Sequence, residues 1–131
     1  LAGDLTRGAT LRREDAVTIL DRARLTIYLC DSASFQHKAL SDVIVHRAQD
    51  AGLAGATVFR GIEGFGRSGD VHTIRLLDLG DHLPLAVVLV DEEARLRDFV
   101  HRNDDCIHGQ LVTLEPLEIV TNGTRGSGES P

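Results

Sequence analysis

The amino-acid sequence predicts an α+β sandwich in which two helices cover one face of a single antiparallel sheet. Four segments have strand character, and two others carry hydrophobic residues at the three- and four-residue spacing of a helix face. These segments follow one another in the order β-α-β-β-α-β, with an additional extended stretch between the second and third core strands. This order is the split βαβ, or ferredoxin-like, arrangement.

The first half of the chain supplies a strand, a helix and a second strand. Leu25, Ile27 and Leu29 alternate with Thr26, Tyr28 and Cys30, which is the pattern of a strand with one buried face. The helix ends at Gly52, because glycine readily adopts the left-handed conformation that follows a helix. The second strand is predicted over residues 55–62. The face of the helix consists of Leu40, Val43, Ile44, Ala48 and Ala51.

The second half supplies the remaining strands and the second helix. Residues 71–79 are predicted to be extended, and residues 85–90 are continuously apolar, which is typical of a strand buried on both faces. Asp91 is expected to cap the next helix, whose hydrophobic stripe consists of Leu96, Phe99 and Val100. Pro116 removes a hydrogen-bond donor from the last strand, residues 111–120, and therefore places it at an edge or a bulge.

The chain is expected to contain one folded domain with two polar flanks. Its 131 residues and 14.2 kDa suit a single hydrophobic core. Residues 1–23 are predicted to form an N-terminal extension, with a short helix over residues 14–20. Residues 24–120 form the domain, and residues 121–131, which have little to bury, are expected to be disordered.

Composition excludes several classes of function. The formal net charge of −6 argues against a nucleic-acid partner, because binding to phosphates needs a basic surface. No apolar run approaches the roughly 20 residues of a membrane-spanning helix. Two cysteines, Cys30 and Cys106, are too few for a disulfide framework and form no CxxC pair. We therefore expect a cytoplasmic protein.

The apolar character of both faces of residues 85–90 predicts self-association. The two helices can cover only one side of the sheet, so a second copy of the chain is expected to cover the other. We take the first and third core strands to run in one direction and the second and fourth in the other. This places Arg24, residues 61–66, the turn at residues 80–84 and the residues after Val120 at one end, with both helix N-termini and residues 103–110 at the other.

The central motifs of the chain resemble a known family. The segments LTIYL, GLAGATVFRGIEGFG, VHTIRLLDL and LPLAVVLVD, followed by residues 109–115, occur in the same order in the PII-like proteins of domain of unknown function 190. The resemblance covers residues 24–120. It implies a ferredoxin-like fold, a trimer like that of the PII nitrogen regulators, and a signalling role without enzymatic activity. It also implies an association with small fluoride-export channels.

One loop departs from the PII pattern. PII proteins hold nucleotide phosphates partly with a loop between the second helix and the last strand that carries glycine and lysine. In this chain, residues 103–110 contain Asp104 and Asp105 but no lysine. A phosphate at this loop would meet repulsion instead of the charge-assisted hydrogen bonds that it requires.

A glycine-rich segment after the second strand is the main candidate site. Three glycines in six positions could expose backbone N–H groups to an anion, with Arg60, Arg67 and Arg75 supplying positive charge. The alternative is that the glycines only form a bend and a close contact between subunits. Glu63 requires a partner if it is buried, and a structural salt bridge with Arg60 or a neighbouring subunit is favoured over a catalytic acid.

Metal binding and catalysis have weaker support. Asp70, His72 and His82 could lie together, as could Cys106 and His108 with two aspartates, but acids and histidines often meet by chance. We therefore predict no metal site and treat His72 as a hydrogen-bonded strand residue by default. No serine or cysteine has the spacing of a catalytic triad, and Cys30 is interpreted as structural because its neighbour Asp31 supplies no positive charge that would activate a thiol.

The sequence thus predicts a homotrimeric PII-like regulatory protein that binds a small ligand in clefts between subunits and modulates a partner. The ligand would be a nucleotide or another anionic small molecule, and residues 65–83 would form a mobile output segment. The alternative is an oligomeric interaction module that binds no small molecule and docks on a membrane transporter such as a fluoride channel. The predicted ligand-binding residues are Arg60, Gly61, Glu63, Gly64, Gly66, Arg67 and His72.

Overall fold

The computed structural model describes residues 10–13, 16–66, 71–73 and 83–121. Two helices of ten and eleven residues pack on one face of a five-stranded antiparallel sheet. The elements in chain order are β1 (Thr10–Arg13), β2 (Ala16–Cys30), β3 (Ser34–Phe35), β4 (Lys38–Ala39), α1 (Leu40–Asp50), β5 (Gly55–Arg60), β6 (Glu63–Gly64), β7 (His72–Thr73), β8 (Pro84–Glu92), α2 (Glu93–Arg102), α3 (Asp104–Ile107) and β9 (Leu111–Ile119).

The four core strands have the order β9–β2–β8–β5 across the sheet, and every neighbouring pair is antiparallel. The predicted α+β architecture is therefore confirmed. Pro116 lies on β9, and among the described strands β9 pairs only with β2. The proline is therefore on an edge strand, as predicted, where no strand on the other side of β9 needs its missing N–H. Two short ribbons, β3–β4 and β6–β7, project from this framework.

The predicted strand directions are wrong. Two strands of one sheet that are joined by a crossover helix run parallel to each other. The strands β2 and β5 therefore point one way, and β8 and β9 point the other way. Cys30 accordingly pairs with Pro84, and Arg60 pairs with Leu85. Residues 61–66 therefore lie at the end of the sheet where β2 ends and β9 begins. Arg24 and the end of β9 lie toward the opposite end, and the two helices run in opposite directions.

The core lies between the helices and one face of the sheet, as the hydrophobic periodicity predicts. Gly52 has a φ of 74° and ends the first helix in the left-handed conformation. Val43, Ala51 and Val100, predicted on the helix faces, are less buried than their neighbours. Cys106 and Ile107 of α3 also belong to the core. The buried side chains that β2, α1, β8 and α2 contribute are Ala23, Leu25, Ile27, Leu29, Leu40, Ile44, Ala48, Leu85, Val87, Leu89, Leu96 and Phe99.

The N-terminal region departs from the prediction. Residues 16–20 belong to β2 and do not form a helix, and the hairpin partner of this part of β2 is β1. The pairing of β2 with β9 shifts its register between Ile19 and Arg22, where Asp21 has a φ of 65°. Aspartate tolerates this left-handed conformation better than most residues, so the bulge lets one long strand serve both the hairpin and the core sheet.

Asp91 is a buried residue whose hydrogen bonds connect the end of α1 with the end of β8, and it does not form the predicted helix cap. It ends the buried face of β8, and the residue before the helix is Glu92, which makes no side-chain cap hydrogen bond. The carboxylate of Asp91 accepts hydrogen bonds from the N–H of Ala54 at 2.8 Å, the N–H of Glu92 at 2.6 Å and Nη1 of Arg95 at 3.1 Å. Nη2 of Arg95 also donates to the carbonyl oxygens of Ala51 and Gly52, both at 3.1 Å. These bonds join the ends of α1 and β8.

The sheet surface opposite the helices, here called the open face, changes character along its length. The strand register places Leu111, Tyr28, Ala86 and Phe59 in one row across all four core strands, and we call this set the apolar row. The next row consists of three threonines and Val88. Beyond it, Arg24 forms an ion pair with Glu115 at 2.8 Å. The apolar row therefore lies at the end of the sheet that carries residues 61–66.

No helix formed by the described residues is both long and apolar enough to cross a bilayer. Three predicted segments lie wholly or mostly outside the residues that the structure describes. They are the tail after residue 121, the extended stretch at residues 71–79 and the output segment at residues 65–83.

Candidate functional site

The candidate site begins where β5 leaves the sheet. The N–H of Gly61 donates to the carbonyl oxygen of Pro84 at 2.7 Å, which continues the β5–β8 pairing by one residue. The chain then turns into the ribbon β6–β7, in which Glu63 pairs with Thr73 and Gly64 pairs with His72. The ribbon therefore starts directly above the first residue of β8.

Two of the three glycines lie close against Pro84. A Cβ added to Gly61 would lie 2.7 Å from Cγ of Pro84, and one added to Gly64 would lie 3.0 Å from the same atom. A Cβ on Gly66 would meet no atom within 4 Å among the described residues. Gly61 and Gly64 therefore make a close contact within one chain, and the contact between subunits that was the alternative explanation stays a prediction.

This contact predicts different outcomes for two matched substitutions. Gly61→Ala should push the ribbon away from Pro84, because 2.7 Å is closer than real Cβ contacts. Gly66→Ala should leave the ribbon in place. Backbone amide shifts of residues 84–86 measured by NMR should change with the first substitution and stay unchanged with the second. Equal shifts in both variants would show that Pro84 does not fix the ribbon.

The structure brings together most of the predicted ligand-binding residues. Arg60, Gly61, Glu63, Gly64 and Gly66 follow one another at the end of β5, and the backbone of His72 pairs with Gly64. Arg67 lies outside the described residues. Arg60 and Glu63 are exposed and form no ion pair with each other, so the burial of Glu63 for which a salt bridge was predicted is not present in the single chain. A carboxylate in water needs no such partner.

The backbone here is not a nest of left-handed glycines. Among the described glycines, positive φ occurs at Gly52 and Gly109, and residues 61, 64 and 66 are not among them. The N–H of Gly61 is already used by Pro84. The exposed charged side chains at this corner are those of Arg60 and Glu63.

Exposed apolar side chains surround this corner. Ile62 and Phe65 are each 72% exposed and Val71 is 62% exposed, although all three are large and hydrophobic. In the apolar row, Leu111 is 64% exposed and Phe59 is 58% exposed. Exposed apolar side chains that form a contiguous surface are typical of interaction sites. These residues were not predicted to form an interaction surface, although the alternation of β2 and β5 places Tyr28 and Phe59 on the face away from the helices.

The acidic segment after α2 has a structural role. Asp105 on α3 accepts a hydrogen bond from Nη1 of Arg47 at 2.8 Å, and the same Nη1 donates to Oδ1 of Asn103 at 3.1 Å. The hydrogen bond from Arg47 lowers the pKa of Asp105. Burial raises the pKa of the neighbouring Cys106. This segment joins α1 to α3, and it carries no lysine for a phosphate.

The Arg47–Asp105 pair predicts an acid-dependent contact. Because the pKa of Asp105 is lower in the folded chain than in the unfolded one, the pair stabilises the fold above the ordinary carboxyl pKa of about 4. This stabilisation is lost as the pH falls through the lowered value. An NMR titration of the Asp105 carboxyl should give a pKa below that of an unpaired aspartate, and Arg47→Gln should raise it. An unchanged titration in the variant would contradict the assignment.

The candidate metal ligands do not come together where the structure describes them. Within residues 10–13, 16–66, 71–73 and 83–121, no group of three histidine, cysteine, aspartate or glutamate side chains could hold a metal ion. Asp70 and His82 lie outside these ranges. Cys30 and Cys106 form no disulfide with each other.

The chain is similar to a protein-family model and to a curated protein over most of its length. The family model of domain of unknown function 190, described as "Uncharacterized ACR, COG1993", matches residues 22–119. A "UPF0166 protein" of Aquifex aeolicus (strain VF5) is 32% identical over 102 residues, which represent 78% of this chain and 96% of that protein.

Solved structures show the same architecture. CPII, a nitrogen regulatory PII-like protein from Thiomonas intermedia K12 bound to ADP, AMP and bicarbonate, matches with a TM-score of 0.54 and 17% identity over 75% of this chain and 87% of that chain. A second CPII structure, bound to ADP and bicarbonate, matches with a TM-score of 0.51 at the same identity and coverage. The fold of this chain is therefore PII-like.

Proposed function

This chain belongs to the family of domain of unknown function 190, and we propose that it acts as a PII-like regulatory protein. In this proposal three copies associate through their open faces and form clefts next to residues 61–66. A small anionic ligand, for which a nucleotide or bicarbonate is the first candidate, binds in these clefts. The ligand then alters the contact that the ribbon β6–β7 makes with a partner protein.

The exposed apolar row is the single observation that carries this proposal. In an isolated chain it would leave Leu111, Tyr28 and Phe59 in contact with water, at a cost that association removes. The row ends at the corner where β5 leaves the sheet, so a second chain seated on it would come close to Arg60 and Glu63. Association would then complete a site that one chain alone presents only as an exposed turn.

The ligand class follows from the charges at this corner and from the bound molecules of CPII. Arg60 is exposed and carries no ion pair with any residue that the structure describes, and its guanidinium suits a phosphate or a carboxylate. CPII binds ADP, AMP and bicarbonate. Residues 103–110 lack a lysine, so a nucleotide would depend on Arg60 and on residues outside that segment.

Thermal unfolding in the presence of ADP, AMP and bicarbonate tests this function. A ligand at about 100 times its Kd stabilises the native state by roughly 2.7 kcal/mol and raises Tm by several degrees. Arg60→Ala should abolish the increase, and Arg97→Ala, which removes a comparably exposed arginine from α2, should preserve it. A wild-type Tm unchanged by all three compounds would contradict this choice of ligands.

The second candidate is an oligomeric docking module without a small ligand. The exposure of Ile62, Phe65 and Val71 favours it, because a ribbon with three such side chains suits direct contact with another protein. A membrane transport protein, such as a fluoride channel, is the partner that the family resemblance implies. Absence of a ligand-induced Tm increase, combined with retained self-association, would support this candidate.

A further inference from the structure

A separate groove of about 500 Å³ lies between the hairpin β3–β4 and α1. Its volume is within the range of roughly 300–1,000 Å³ that small-molecule sites occupy. The groove belongs to the helix side of the sheet, opposite the open face, so self-association through the open face would leave it accessible. The side chains that matter for its chemistry are Phe35, Lys38, Asp42, Val43, His46 and Arg47.

The floor of the groove is apolar, and one end carries a fixed cation. Phe35 and Val43 are both half-buried. The guanidinium carbon of Arg47 lies 5.2 Å from the centre of the Phe35 ring, a distance typical of a cation–π contact. Because Nη1 of Arg47 also bonds to Asn103 and Asp105, the arginine is held from two sides.

The hairpin wall keeps an unfavourable backbone conformation. Gln36 has a φ of 51° and His37 a φ of 67°, so two consecutive residues that are not glycine lie in the left-handed region. This conformation forms the tight turn that closes a two-residue hairpin. The N–H of Leu40 donates to the carbonyl oxygen of Ala33 at 2.9 Å, which holds the hairpin against the start of α1. The groove is thus already formed in the chain as described.

The rim of the groove carries charges of both signs. Lys38 and Asp42 are exposed, and neither forms an ion pair within the part of the chain that the structure describes. His46 lies one turn after Asp42 on the same helix face, and its Nδ1 lies 2.8 Å from the carbonyl oxygen of Asp42. A molecule that pairs with both of these charges carries an anionic and a cationic group of its own.

We propose that this groove binds a small zwitterion with an apolar side chain, such as a free α-amino acid. The ammonium group faces Asp42, the carboxylate faces Lys38 and Arg47, and the apolar side chain lies on Phe35 and Val43. This site is distinct from the proposed cleft at residues 61–66. It would give a regulatory protein a second ligand of a different chemical class.

NMR titration of the ¹⁵N-labelled chain with L-leucine tests the proposal. Two matched probes accompany it: 4-methylpentanoate, which lacks the amino group, and 3-methylbutylamine, which lacks the carboxylate. We expect saturable amide shifts in residues 35–47 with L-leucine. Either analogue should bind at least about threefold more weakly, the loss expected for one exposed charge pair.

Substitutions locate the contacts. Lys38→Gln and Asp42→Asn should each weaken L-leucine binding by about three- to fivefold, and Asp98→Asn, an exposed aspartate on α2, should leave it unchanged. The proposal is overturned if L-leucine gives no saturable shift at about 20 mM, a concentration that detects millimolar Kd values. It is also overturned if both analogues bind as well as L-leucine, or if neither substitution weakens binding.

Discussion

Replacing Leu111 with aspartate should separate the proposed assembly into monomers. Leu111 is 64% exposed in the single chain and lies at one end of the apolar row, so a charge there costs the isolated subunit little. In an assembly that covers the row, the same carboxylate would be buried without a partner, which costs several kcal/mol. The concentration needed for half-assembly should rise by at least about 100-fold, the factor that corresponds to roughly 2.7 kcal/mol.

Val120→Asp is the matched control for this experiment. Val120 is also a large apolar residue, is 62% exposed, and follows the opposite end of the same strand. Sedimentation velocity should report monomers for Leu111→Asp and the wild-type assembly for Val120→Asp, with both chains folded by circular dichroism. If the two variants assemble equally well, the apolar row does not form the interface.

The largest loss of stability is expected for Asp91→Ala. The substitution leaves the N–H groups of Ala54 and Glu92 without their acceptor and releases Arg95 from the start of α2. Removing the buried partner of a charged group and of two backbone donors costs about 3 kcal/mol or more. Tm should fall by roughly 10 °C, and the urea midpoint should fall with it.

Two companion variants separate the role of Asp91 from a general effect of losing an acid. Asp98→Ala removes an exposed ion pair between Asp98 and Arg102, both on α2. This substitution should lower the free energy of unfolding by less than about 1 kcal/mol. Asp91→Asn keeps one carbonyl acceptor and should fall between these two variants. If Asp91→Ala lowers the free energy of unfolding no more than Asp98→Ala does, the hydrogen bonds between α1 and β8 do not stabilise the fold.

Hydrophobic periodicity predicts most of the core that β2 and α1 contribute. Leu25, Ile27 and Leu29 alternate because β2 has one covered face, and Leu40, Ile44 and Ala48 recur because α1 covers it. Gly52 marked the end of α1 for the same local reason, since its φ of 74° favours glycine. These predictions depend on residues close together in the sequence, where spacing alone determines which side chains share a face.

Features that depend on distant residues could not be read from spacing. The buried role of Asp91 requires Ala54 and Arg95 to approach it, and a helix-cap pattern gives no sign of that contact. The closeness of Gly61 to Pro84 arises only when β5 pairs with β8. Strand direction is different, because two strands joined by a β-α-β crossover are parallel and this local rule places β5 parallel to β2.

The candidate site was located by its glycines but only partly explained by them. Gly61 and Gly64 are placed by contact with Pro84, while the exposed side chains of Ile62 and Phe65 give the corner its apolar surface. The glycine pattern therefore indicates the correct corner of the molecule, and packing against Pro84 is part of the reason that glycines occur there. The apolar row beside it depends on the register of four strands, which the sequence does not contain in any one segment.

The molar mass of the wild-type chain in solution tests the central proposal, association of three chains through the open face, most directly. Light scattering at micromolar concentration should give three times the 14.2 kDa of one chain. A mass of one chain would leave the apolar row exposed to water and the corner at residues 61–66 without a second wall. That result would contradict both the assembly and the ligand cleft that depends on it.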